Sequence, residues 1–204
     1  DGKFQNDDIV EHEAEFVFQY PFFNEETDEL LLIEAKTIFN GKCYELRDTD
    51  WEENQRFQLL SRNMTKDRYV YVFSIDPDNQ SCIHWPRSGE YNEKFSKLNE
   101  SALVPYDNVE IVVPGRESAL IKDKPGVDYL FVLYSDKPID DLIERIEDVK
   151  KNSINYIDGL NSAFENRLIS SNEINYRMDK MIFKTTSFRE GYILPVVLKV
   201  EVKR

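Results

Sequence analysis

Cys82 and His84 stand two residues apart in the segment Ser81–Trp85, a spacing that puts both side chains on one face of an extended strand. A thiol beside an imidazole is the minimum for a nucleophile and its base. Against that, the pair alternates with Ile83 and Trp85, and a buried cysteine ordinarily behaves as a small, inert hydrophobe. Apart from His84, the chain has His12 alone as a histidine, far off in the N-terminal segment. Zinc sites need three or four ligands from Cys, His or carboxylates, and none cluster in the sequence. Asp76, Asp78 and Asn79 share a loop and could chelate calcium. Pro77 between them, with no downstream Gly and bidentate Glu, makes the loop a plain turn instead. Asp48, Asp50, Glu52 and Glu53 form a second acidic loop, read as a solvated face. Trp51, Trp85 and Tyr91 fall in or beside loops. Trp85 is expected to cap the core, leaving Trp51 and Tyr91 as a candidate platform for sugar or peptide. The chain contains no Gly-x-Ser-x-Gly elbow, no phosphate-cradling Gly loop and no His-Glu-x-x-His. No cofactor and no metal is expected.

Composition narrows the classes further. The 204 residues carry a net charge of −13 and a pI near 4.7. Such a balance argues against nucleic acid and anionic membrane, both of which need a basic face. With 41% hydrophobic and 13% aromatic residues, the chain has enough apolar material for a core, and its length suits one domain over 1–204. No run approaches the roughly 18 apolar residues of a membrane span. The chain starts at Asp1 with a polar stretch (DGKFQNDD), which fits a tether on a mature exported chain or a trimmed one. Two cysteines, Cys43 and Cys82, permit at most one disulfide.

The elements that must position these residues follow from apolar patterning. Tyr69, Tyr71, Phe73 and Ile75 point to one side of an extended segment, and Val70 and Val72 to the other. Both sides are apolar, so this strand belongs inside a sheet, as does Val127–Tyr134 (VDYLFVLY). Ser81–Trp85 returns as its partner after the Asp76–Gln80 turn. Glu15–Tyr20 reads as a strand stopped by Pro21, followed by an acidic connection, Asn24–Glu29. Asn40-Gly41 predicts a two-residue hairpin, pairing Phe39 with Lys42, Thr37 with Tyr44 and Ala35 with Leu46. Short strands are expected at Gln55–Leu60, Val109–Val113 and Ala119–Ile121, and a polar loop at Arg87–Ser101. Ile139, Leu142, Ile143, Ile146 and Val149 have helical spacing, with Asp136 as N-cap and Pro138 in the first turn. A second helix is expected from Ser153, with Ile157, Leu160, Phe164 and Leu168 inward. Ile174–Tyr176, Met181–Lys184 and Ile193–Val202 close the chain as strands.

The central block resembles a bacterial family known as domain of unknown function 4384. The matching motifs are Tyr69-Val70-Tyr71-Val72-Phe73, Asp76-Pro77-Asp78, Trp85-Pro86, Val113-Pro114-Gly115, and Asp128–Ser135 with Asp136-Lys137-Pro138. They cover about residues 45–140, and Asn79 stands where members often carry Gly, a replacement compatible with a left-handed backbone. The resemblance implies a β-rich module that accompanies caspase-like peptidases or sits in exported proteins, with no catalytic residues of its own. The fold expected is α+β and β-dominated, a mostly antiparallel β-sandwich with two consecutive helices near residues 138–168. The function expected is a non-enzymatic interaction module of an exported bacterial protein, in the periplasm or at the cell surface. Its partner would be a protein, such as a neighbouring peptidase domain, contacted through the Arg87–Ser101 loop. Two other classes stay open here: a hydrolase using loop carboxylates or Cys82/His84, and a carbohydrate-binding module using Trp51 and Tyr91.

Overall fold

The two apolar runs lie side by side. In the computed structural model, which describes residues 11–47, 51–62 and 64–202, Val72 pairs with Val132 and Phe73 with Phe131 in one antiparallel ladder. The Phe73 and Phe131 rings stack with centroids 4.7 Å apart.

The strands are β1 (His12–Asn24), β2 (Glu29–Glu34), β3 (Thr37–Phe39), β4 (Tyr44–Leu46), β5 (Arg56–Arg62), β6 (Arg68–Ile75) and β7 (Ser81–Trp85). Next come β8 (Leu103–Val104), β9 (Ile111–Val113), β10 (Leu120–Ile121) and β11 (Gly126–Ser135). Helices α1 (Leu142–Lys150) and α2 (Tyr156–Phe164) precede β12 (Asn175–Tyr176), β13 (Met181–Thr185) and β14 (Ile193–Val202). The first sheet runs β10-β5-β1-β13-β12, with β2 added to β1 and β9 to β5. The second runs β3-β4-β14-β11-β6-β7, with β8 added to β6. Pairing is antiparallel except where β14 meets β4.

Two cores follow from this stacking. Phe16, Phe18, Leu59 and Phe183 of the first sheet pack on Val70, Val72, Val132 and Leu198 of the second. The other face of the second sheet buries Tyr71, Phe73, Phe131 and Leu133 under Leu142, Ile146, Val149, Leu160 and Phe164. That sheet is covered on both sides, which is why its middle strands are apolar at successive positions. The molecule is thus the expected β-dominated sandwich, with both helices on the outer face of one sheet.

Four local readings are corrected. Strand β1 continues through Pro21, which pairs with Leu32. Because the ladder between β1 and β5 ends at Gln19, β1 is an edge strand there, and an edge tolerates a missing N–H. The Asn40-Gly41 turn spans four residues instead of two, since Phe39 pairs with Tyr44 and Thr37 with Leu46. Asn40 Oδ1 accepts from the amides of Lys42 (3.0 Å) and Cys43 (2.9 Å), and the Asn40 amide donates to the Cys43 carbonyl (3.0 Å), so side chain and backbone close the turn together. Helix α1 begins at Leu142, not in the Pro138 turn: Asp136 Oδ1 accepts from the Gly191 amide at 2.9 Å, and the Ile139 amide donates to Tyr71 Oη at 3.0 Å. Helix α2 starts after Asn155, whose side chain accepts from the Ile157 and Asp158 amides as an N-cap. Asp1–Asp8 lies outside the described residues.

Gly159 sets how closely the helices cross. A Cβ built there would lie 2.6 Å from the Val149 carbonyl oxygen. Alanine raises helix propensity by roughly 1 kcal/mol over glycine, but separating two packed helices costs about 1–3 kcal/mol. Gly159→Ala should therefore lower the midpoint of urea unfolding; an unchanged or higher midpoint would show that the crossing has slack.

Candidate ligand groove at the edge of the second sheet

Strand β7 is the last strand of its sheet, so its outer side is met by loop and helix. After Pro86 the chain loops out and returns at Ser101, and the base of this loop is clamped. Arg87 Nε donates to Glu100 Oε2 at 2.7 Å and a second guanidinium nitrogen meets the other carboxylate oxygen. Arg87 Nη1 donates to the Pro114 carbonyl at 3.0 Å, and its guanidinium lies 5.8 Å from the Trp85 ring centroid. Gly115 admits this arginine, because a Cβ there would come within 2.6 Å of Nη1. Further out, the amides of Tyr91 and Asn92 both donate to the Ser88 carbonyl, and Asn92 Oδ1 caps the turn at Lys94. The loop thereby holds Tyr91, Asn92 and Lys94 opposite helix α1.

Between them is a groove of about 400 Å³. Cys82, Ile83 and Ile146 floor it, Tyr91, Asn92 and Ile143 wall it, and Lys94 and Glu147 carry its charges. Glu147 already meets Lys150 at 2.7 Å, whereas Lys94 enters no ion pair among the described residues. The site is apolar at its base with one available cation, a chemistry that suits an apolar anchor beside a carboxylate.

Of the residues singled out by sequence, Tyr91 and Cys82 come together here. Cys82 and His84 are held by different groups. Asn92 Nδ2 lies 3.4 Å from Cys82 Sγ, and His84 Nε2 lies 2.8 Å from Ser74 Oγ. Both keep to the side of Ser74, which pairs with Cys82 and bonds His84, although a register shift follows: Trp85 pairs with Val72 while Ile83 pairs with Phe73, so His84 is the extra residue of a bulge. Burial pushes the Cys82 thiol up, against the opposing pull of Lys94 and Asn92. Burial and the Lys94 charge bring His84 down to about 4. At neutral pH the thiol keeps its proton and the imidazole is uncharged, which is the reverse of an activated nucleophile.

Trp51 is corrected from a loop platform to a core residue. It is 4% exposed and packs edge-on against Phe18 and Tyr20 at 5.2 and 5.4 Å. Tyr91 packs with the helix-side core instead, so the two aromatics occupy different layers and form no joint surface. Trp85 packs against the inter-sheet core, as expected. Asp76 Oδ1 accepts from the amides of Asp78 (2.9 Å) and Gln80 (2.7 Å), Asn79 sits at φ 61°, and Lys124 Nζ contacts both carboxylates. The loop is a closed turn whose charge is answered by a lysine. Among the described residues no group of three or more His, Cys, Asp or Glu could hold a metal ion. Glu52 and Glu53 are exposed; Asp48 and Asp50 lie outside the described residues. Cys43 and Cys82 are free thiols.

Sequence reading missed Ile143, Ile146, Glu147 and Lys94 as groove residues. One signal was present: Leu142, Ile146 and Val149 complete the buried stripe of α1, leaving Ile143 as a surplus apolar residue, 49% exposed. Comparison with models of protein families, with curated proteins and with solved structures gives no match. The likeness to domain of unknown function 4384 therefore rests on its short motifs alone.

Proposed function

We propose that this chain is a non-enzymatic interaction module of an exported bacterial protein, and that its groove takes an extended segment of a protein partner. The observation that carries this reading is the groove itself: an apolar floor and wall at a sheet edge, framed by a loop whose base is fixed by the Arg87–Glu100 pair. Rigid framing of an apolar trough with one free cation suits capture of an apolar side chain next to an acidic one. A protonated Cys82 and an uncharged, half-buried His84 support recognition over hydrolysis. No helix among the described residues is long and apolar enough to cross a membrane. The neighbouring peptidase domain suggested by the family resemblance is the partner class that this reading favours.

Selection from a displayed library of random peptides tests the proposal, using Ile143→Glu as the comparison, since Ile143 is half exposed and its exchange spares the core. Enriched peptides should carry an apolar residue beside Asp or Glu and should bind the Ile143→Glu variant at least about tenfold more weakly, the loss of one buried apolar anchor plus a charge clash. Peptides that bind both forms equally would remove the groove from the account.

A further inference from the structure

Beyond the body of the first sheet, β1 and β2 continue together as a two-stranded arm whose apolar residues lie in the open. Phe22 is 46% exposed, Phe23 52%, Leu30 70%, Leu31 41% and Leu32 57%. Phe22 pairs with Leu31 and Phe23 with Leu30, so the two pairs fall on opposite faces and the arm is apolar on both. Among the described residues β2 pairs with β1 alone. Among the described residues its outer edge thus has no strand partner over Glu29–Glu34. Exposed edges are ordinarily blunted by lysine, proline or a bulge within the strand. Here the strand reads ELLLIE, with none of these.

Charge indicates what fits against it. The stretch from Pro21 to Ala35 contains no Lys or Arg. Among the described residues Glu25, Glu26, Asp28 and Glu29 enter no ion pair, and Glu34 shares Arg62 at 3.2 Å. A second copy of the chain is a poor occupant: antiparallel pairing of β2 with itself sets Glu29 opposite Glu34 twice, a like-charge arrangement that opposes pairing. An anionic lipid surface is repelled by the same acidic tip.

We propose that the outer edge of β2 is a second docking site, which takes an extended apolar segment flanked by Lys or Arg from another protein and adds it as a further strand. Backbone bonds supply the pairing, the exposed leucines give it apolar cover, and Glu29 and Glu34 set its charge.

Two synthetic peptides test this by fluorescence anisotropy on the full chain: KKVLVLKK and its uncharged form QQVLVLQQ, which lacks the carboxylates that the groove beside Lys94 would take. The basic peptide should bind at least about tenfold more tightly at low salt, with the difference shrinking as salt is raised. Leu30→Lys with Leu32→Lys, at two exposed positions, should weaken it by at least about tenfold, whereas Ile143→Glu in the groove should leave it unchanged. A KKVLVLKK analogue N-methylated on alternate amides keeps its side chains but cannot form the ladder, and should fail to bind; this readout does not depend on how the double variant folds. The proposal is overturned if both peptides bind alike, or if the methylated analogue binds as well as its parent. It is equally overturned if the unaltered chain dimerises or binds uncharged lipid vesicles through Leu30 and Leu32, since either result would assign the edge to a different occupant.

Discussion

Replacing Phe131 with alanine should lower the stability of the fold by about 3–5 kcal/mol, the range for deleting a fully buried phenylalanine. Phe131 is 0% exposed, stacks on Phe73, and sits in the helix-side core with Leu133 and Ile75. Its strand is bonded on both sides, to β6 and to β14, so neighbouring backbone has little freedom to close the void. For a chain of this length the loss corresponds to a drop in melting temperature of roughly 6–20 °C. Leu32→Ala is the control: that side chain is 57% exposed, and its truncation should change stability by no more than about 0.5 kcal/mol. Denaturant titration of both variants measures the contrast. Equal losses would mean that β11 is not an interior strand.

Acid should weaken the fold before its carboxylates titrate. His12 and His84 both sit near 4 instead of the ordinary 6.5. For His12 the chief cause is burial, followed by the Arg68 guanidinium, whose Nη2 lies 3.1 Å from Nδ1; the Asp136 charge opposes them in part. The His12 ring is also covered by Phe188 at 4.8 Å. For His84 the cause is burial, then Lys94. A folded pKa below the unfolded one means that the unfolded chain takes up protons first as pH falls. Stability from these groups is complete above about pH 6.5 and declines as pH drops toward 4. At 1.36 kcal/mol per pH unit the decline reaches up to roughly 3 kcal/mol for each histidine. Urea midpoints measured from pH 7 to 4.5 should fall steadily, and His12→Gln and His84→Gln should each flatten the slope. A flat profile in the unaltered chain, or histidine resonances titrating near 6.5, would refute the burial of these rings.

The interior of the second sheet was legible because burial on both faces requires apolar side chains at every position, whatever the partners are. Strands β6, β11 and β14 could therefore be read one at a time from residues such as Val72, Phe131 and Val197. Elements whose ends are set by one polar side chain were less legible. The Asn40 turn follows from one carboxamide accepting two amides, and the start of α1 from Asp136 bonding Gly191, which is remote in sequence. Trp51 illustrates a different gap: a position in a loop says nothing of burial, and only the assembled Phe18, Tyr20 and Phe57 cluster draws the indole inside. The groove was the least legible feature. Tyr91 and Ile143 lie more than fifty positions apart, and each alone resembles an ordinary core residue; only the folding of the 87–101 loop against α1 makes them one wall.

Where a ligand lands, and whether it survives, decides most directly between a binding module and an enzyme. Amide NMR of the labelled chain, titrated with a peptide enriched by selection, answers both in one sample. Shifts should concentrate at Cys82, Tyr91, Lys94 and Ile143, and the peptide should be recovered at its original mass. Shifts confined to other parts of the fold, or a peptide returned cleaved or modified, would contradict the reading of this chain as a module that binds without reacting.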